Sequence, residues 1–176
     1  MKLEGAMLYV WLAALIDGEG SVMLSLRTYS GRGKNKKMNQ PHYRPVVVIA
    51  NTDRRLMNAL TDNTGVSRIY RHRIKGAPQV LMKRTQYTWR LAVNDINIWL
   101  PRVLPYLVLK KEQAELLLEA MAIKAYISPG NPGFQPGIRN KLVAELTEIY
   151  LEIRKLNTKG RATQDMENEQ VLPKYA

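Results

Sequence analysis

The chain has no cysteine, only two histidines and, through a long central segment, almost no acid. Without cysteine there is no disulfide and no thiolate-bound metal, and the composition suits a reducing compartment. His42 and His72 do not share a metal-ligand spacing. No apolar run reaches the roughly 18–20 residues of a membrane span. The N-terminus lacks a basic region followed by an apolar stretch and a small-residue cleavage site, so no signal peptide is expected. These absences predict an intracellular protein without a membrane partner, in a prokaryotic (archaeal included) cytoplasm or an organelle.

The charge that is present sits on one side of the ledger. The 176 residues carry 27 Lys and Arg against 15 Asp and Glu. From residue 21 to residue 93 there are 15 basic side chains and two acids, Asp53 and Asp62, a net of +13, which leaves the rest of the chain at −1. Solubility does not require basic charge to gather in one segment. A field of this size attracts a polyanion, and nucleic acid is the expected partner.

At this length one domain with a real core is expected, over residues 1–157, followed by a polar tail, 158–176. Residues 4–16 read as a helix that is apolar almost all round and so needs partners on more than one side. From residue 22 to 28 the pattern alternates, with Val22, Leu24 and Leu26 on one face and Met23, Ser25 and Arg27 on the other. A basic turn region leads to a β-branched strand at 44–51. Thr52 is placed to cap a helix over 53–62, ended by 63–65. Strands follow at 66–73 and 86–93, then helices near 95–103 and 110–126. After a Pro/Gly loop, Leu142, Leu146, Ile149, Ile153 and Leu156 mark a last amphipathic helix. The fold expected is α+β, with one four-stranded sheet. Helices should cover one face and leave the other open and basic. Met7, Met57, Met82 and Met121 are read as packing residues, and Tyr87 and Trp89 as facing the core or supporting the sheet.

The first helix finishes on "WLAALIDGEGSV". Charges at the end of a buried helix are costly unless paired, hydrogen-bonded or metal-bound. The helix C-terminus already carries partial negative charge, which makes Asp17 and Glu19 costlier still. Gly18 and Gly20 allow a sharp exit and the close approach of another backbone or a phosphate. Carbonyls and carboxylate together make an oxygen-rich pocket for a hard cation such as Mg²⁺.

The segment LAALIDGEG, residues 12–20, closely resembles the defining motif of the LAGLIDADG homing endonucleases, with Ala14, Gly18 and Glu19 where the motif has Gly, Ala and Asp. PYLVLKKEQAELLLE, residues 105–119, is similar to the second block of the same family. The resemblance implies the αββαββα fold, with an antiparallel DNA-binding sheet backed by helices. It implies metal-dependent hydrolysis of phosphodiester bonds in both strands of a long pseudo-palindromic double-stranded DNA target, with Mg²⁺ or Mn²⁺ as cofactor and an intron as the coding context. The family's metal-binding acid falls on Glu19, with the Gly18 carbonyl as co-ligand. Its other acid falls on Asp17, expected to support structure more than chemistry. Its basic active-site residues fall on Lys110 and Arg54. The polar residue that positions water falls near Ala50 or Asn51; Ala50 could not serve, which leaves Asn51 or metal-bound water alone.

One motif per chain implies a homodimer in which two first helices pack along Met7, Val10, Ala14 and Gly18. Twofold symmetry then implies the pseudo-palindrome. Alternation nominates Ser25, Arg27, Tyr29, Arg68, Tyr70, His72, Gln86, Thr88 and Arg90 as groove readers, with Arg44 the one reader named on a strand apolar on both faces. The loop residues Arg32, Lys34, Lys36 and Lys37 are assigned to phosphates. Two alternatives share the scaffold: a maturase that binds its own intron RNA, and a DNA-binding protein without catalysis.

Overall fold

The alternation of β-branched and polar residues builds a sheet, and the apolar helices lie on one side of it. The computed structural model describes residues 2–28, 41–73, 85–128 and 135–158. The order is α1 (Gly5–Glu19), β1 (Gly20–Thr28), β2 (Pro41–Asn51), α2 (Arg54–Thr64), β3 (Ile69–Arg73), β4 (Thr85–Leu91), α3 (Val93–Val103), α4 (Lys111–Tyr126) and α5 (Arg139–Thr158). All strand pairs are antiparallel and the sheet order is β1-β2-β4-β3. This is the α+β architecture expected of the sequence.

Opposed residues share a face, so the register defines two surfaces. Val22 pairs with Val47, and Ile49 with Trp89. All four are fully buried, against Leu12, Ile16, Met57, Leu60, Ile96, Leu100 and Leu117 from the helices. Trp89 faces the core as expected, and its Nε1 donates to the Val66 carbonyl at 2.8 Å. The intervening residues Ser21, Met23, Ser25, Arg44, Val48, Thr88 and Arg90 form the opposite face, on which all seven keep partial solvent contact.

Several boundaries differ from those expected, each for a local reason. α1 runs a full turn beyond residue 16, because the Gly20 N–H donates to the Ile16 carbonyl and closes that turn. A Cβ at Gly20 would lie 2.6 Å from the same carbonyl oxygen, so this glycine serves a close approach within the chain. The cap of α2 is Asp53 and not Thr52: Asn51 Oδ1 accepts from the Asp53 N–H at 2.8 Å, and Asp53 Oδ1 then accepts from the Arg55 N–H at 2.8 Å. β3 begins three residues later than expected, since Val66 is buried beneath Trp89. β2 begins three residues earlier, paired to the end of β1. α3 begins at Val93, where Asp95 Oδ2 accepts from the Ala92 N–H at 2.9 Å. Met57 and Met121 are core residues, but Met7 is 67% exposed and packs in no core. Met82 lies outside the described residues. No helix among the described residues is long and apolar enough to cross a membrane.

Candidate active site and nucleic-acid interface

Asp17 and Glu19 both belong to the last turn of α1 but meet different surroundings. The Asp17 carboxylate turns toward the segment that leads into α4. Its Oδ2 accepts from the Val108 N–H at 2.7 Å and its Oδ1 from the Lys110 N–H at 2.9 Å. Lys110 is the N-cap residue of α4 and has no side-chain cap of its own. Asp17 therefore satisfies from outside one of the donors that a helix start leaves unpaired. In return, the Lys110 Nζ donates to the Asp17 main-chain carbonyl. A cation at this carbonyl opposes the partial negative charge of the α1 C-terminus. The fold thus brings the first motif and the second block together, 93 residues apart in sequence.

Glu19 and Gly18 are exposed. A Cβ at Gly18 would meet nothing within 4 Å. Gly20, which follows, pairs with Ile49, so Glu19 stands at the sheet end that also holds Asn51 and the start of α2. Arg54, the first residue of α2, is exposed at that end. The next residue, Arg55, pairs with Asp53 at 2.6 Å, and these hydrogen bonds hold the Asp53 carboxyl below its ordinary range. Asn51 has its Oδ1 engaged by Asp53, leaving its amide as the group free to donate elsewhere. Among the described residues no group of three or more His, Cys, Asp or Glu side chains could hold a metal. One chain therefore offers a single outward carboxylate beside a helix-end carbonyl. That donor set fits a Mg²⁺-like ion, which keeps several waters and takes one or two carboxylates, provided a second carboxylate or a substrate oxygen completes the shell.

The nominated seam is a stripe on the bare side of α1. Met7 and Val10 are 67% and 49% exposed, and Ala14 and Gly18 are exposed as well. The opposite side, Leu8, Leu12, Ala13 and Ile16, is buried. Sequence reasoning missed Val108 and Leu109, 82% and 72% exposed beside the end of α1. Their signal was two apolar residues directly before the Lys110 cap.

Along the open face, Arg27 is exposed, and Ser25, Arg44, Gln86, Thr88 and Arg90 are half-buried. Burial lowers the Arg90 pKa from its ordinary value, and nearby Arg44 and Arg27 add to the effect. Three guanidiniums from three adjacent strands therefore share one patch, with Tyr70 beside it. Arg44 and Arg90 flank a hollow of about 240 Å³ where the chain leaves β4. Arg68 is committed elsewhere: its guanidinium donates to Asp95 at 3.0 Å, so reading a base would break that pair. Tyr70 and His72 are exposed on β3. Tyr29, Arg32, Lys34, Lys36 and Lys37 lie outside the described residues.

No protein-family model matches the chain, and no curated protein sequence does. Solved structures do match. The homing endonuclease I-CvuI, in complex with its target in the presence of calcium, superposes with TM-score 0.60 at 13% identity, covering 86% of this chain and 82% of that one. The archaeal intron-encoded homing endonuclease I-Vdi141I, complexed with DNA, gives 0.61 at 18% identity over 86% and 85%. The LAGLIDADG homing endonuclease I-LtrWI, bound to target DNA, gives 0.59 at 13% identity over 86% of this chain but 45% of that one. The fold is that of the LAGLIDADG homing endonucleases, and this chain spans about half of the longer I-LtrWI.

Proposed function

We propose that the chain is a site-specific, intron-encoded homing endonuclease that cuts both strands of a long pseudo-palindromic DNA target as a homodimer, with Mg²⁺ or Mn²⁺. The observation that carries this is the last turn of α1, where Asp17 is tied to Lys110 and the next acid, Glu19, is left exposed, at one end of a sheet whose open face is basic. The same fold in I-CvuI and I-Vdi141I was solved on DNA, which supports a duplex as the partner.

Glu19 and the Gly18 carbonyl would hold the cation, and the I-CvuI structures with calcium and magnesium support a divalent one. When bound, such an ion supplies acidification of water and neutralisation of charge on the phosphate. Lys110 is already held at the end of α1, so its ammonium needs only to exchange the Asp17 carbonyl for a phosphate oxygen to stabilise developing negative charge. Arg54 stands at the same sheet end, exposed and able to reach a phosphate. Asp17 fixes the backbone that carries Lys110. The second carboxylate comes from a second copy: packing two α1 helices along Met7, Val10, Ala14 and Gly18 sets two Glu19 residues side by side. Val108 and Leu109 extend that apolar surface.

A randomised pool of long DNA duplexes, offered with Mg²⁺ or Mn²⁺ and with Glu19→Gln as the control, tests the reading. The wild type should cleave selected duplexes only with metal. The variant should bind them within a few-fold of wild type and cleave about 10²–10³ slower, the loss typical of one missing charge-stabilising group. Cleavage by Glu19→Gln at the wild-type rate would overturn the assignment of the site.

A further inference from the structure

The open face of the sheet is not uniformly basic, and its chemistry changes with distance from Glu19. Gly20 and Ile49 pair beside Glu19. Moving away along β1 and β2, the open-face residues come in register as Ser21 with Val48, then Met23 with Val46, then Ser25 with Arg44, then Arg27 with His42. Val48 and Met23 keep partial solvent contact, while Val46 between them is largely covered. Ala50, next to Glu19, is apolar too. On β1 and β2 the inner half therefore offers methyl and thioether groups and the outer half guanidiniums, while on β4 Arg90 stands opposite Val48 and shares the patch of Arg44 and Arg27.

In the major groove the one apolar group that a base presents is the thymine C5-methyl, and the commonest partner of Arg is the N7/O6 edge of guanine. We infer that Met23 and Val48 read thymine methyl groups in the inner part of each half-site, and that Arg44 and Arg27 read guanines farther out. The inference rests on the endonuclease reading above and adds the base classes that this sheet accepts. Four strand residues separate Val48 from Arg44, roughly 13 Å at the usual rise. With base pairs about 3.4 Å apart along the helix axis, and farther along the groove, the two zones lie about three to four base pairs apart. A strand apolar on both faces thus becomes a specificity element, and its outward valine needs no polar partner.

Duplexes retained from the randomised pool would be resynthesised with uracil in place of each thymine, and with 7-deazaguanine in place of each guanine. Retained half-sites should carry thymine in the inner zone and guanine in the outer. Uracil removes only the methyl group, so affinity should fall about fourfold per inner thymine, the equivalent of one buried carbon. 7-Deazaguanine in the outer zone should cost fivefold or more. Val48→Ala should lose the preference for thymine over uracil at one inner position while still binding the duplex. Equal binding of thymine and uracil duplexes by the wild type, with cleavage intact, overturns this inference and leaves the endonuclease reading standing. A protein that retains no duplex overturns both.

Discussion

Asp17→Ala separates scaffold from chemistry at the end of α1. The carboxylate accepts two main-chain N–H donors, Val108 at 2.7 Å and Lys110 at 2.9 Å. Val108 is exposed, and water can replace its partner at small cost. The Lys110 N–H is part-buried at a helix start, and leaving such a donor unsatisfied costs about 1–3 kcal/mol. Loss of the charge-assisted bond to Val108 adds about 1 kcal/mol, giving roughly 2–4 kcal/mol in all. For a domain of this size, about 2–4 °C of melting temperature is lost per kcal/mol, so the midpoint should fall by roughly 4–16 °C. Asp17→Asn keeps one acceptor oxygen and should fall between the two.

Thermal unfolding followed by circular dichroism gives the first reading, and single-turnover cleavage well below the lowered midpoint gives the second. Because Asp17 holds the main chain of Lys110, cleavage should fall, but less than in Glu19→Gln. A variant that melts within a degree of wild type and yet loses all cleavage would refute the reasoning, since the carboxylate would then act on substrate and not on the 108–110 backbone.

Lys110→Met should slow single-turnover cleavage by about 10²–10³ while changing affinity far less; a loss of affinity alone would make it a phosphate-positioning residue. Ala14→Leu and Gly18→Val put bulk on an open side of one chain, so the isolated fold should change by less than about 0.5 kcal/mol. In a packed seam, overpacking costs about 1–3 kcal/mol per site and is counted twice across a twofold axis. Sedimentation should therefore show dimers of wild type and monomers of the variants, and a wild type that stays monomeric on its target would refute the seam. Lys124 donates to the Tyr43 carbonyl, and burial, with help from Arg44, lowers its pKa. A Lys whose folded pKa lies below its unfolded one disfavours the fold while charged. Stability should thus rise with pH from the folded value toward about 10.4, where the unfolded chain still holds the proton. Melting curves of wild type against Lys124→Met across pH 7–10.5 should show the wild type gaining stability relative to the variant as pH rises; a flat difference would argue against it.

Most of the fold was legible because the periodicities were clean. Val22, Leu24 and Leu26 alternate, Leu146, Ile149 and Ile153 repeat at helical spacing, and each lies where its period puts it. The helix starts were less legible because their caps depend on side-chain geometry. Thr52 has the right chemistry for a cap, but the Asn51 hydrogen bond to Asp53 hands the role one residue on. The β3 start depended on a tertiary contact, Trp89 over Val66, which no local pattern encodes. The exposure of Val108 and Leu109 was hidden for the opposite reason, and Met7 could be read both as a core residue and as part of an open seam. Composition marks a residue as apolar but cannot say whether its cover comes from the same chain.

The two acids that close α1 have different surroundings because of their spacing. An α-helix turns about 100° per residue, so residues two apart point about 200° away from each other. With Asp17 directed at the 108–110 backbone, Glu19 leaves on a different side of the helix, and as the last residue of α1 it is exposed where the chain passes into β1. An apolar helix can then end on two carboxylates at tolerable cost. One is neutralised by the N–H groups it accepts and by the nearby Lys110 ammonium. The other stays exposed and hydrated, open to the cation of the proposed reaction. Gly18 lies between them with open space where its side chain would be, which is the condition for a second α1 to come close. The stripe of Met7, Val10, Ala14 and Gly18 makes the helix apolar on both sides: one side is covered by the sheet, and the other is the side that a second α1 covers in the proposed homodimer.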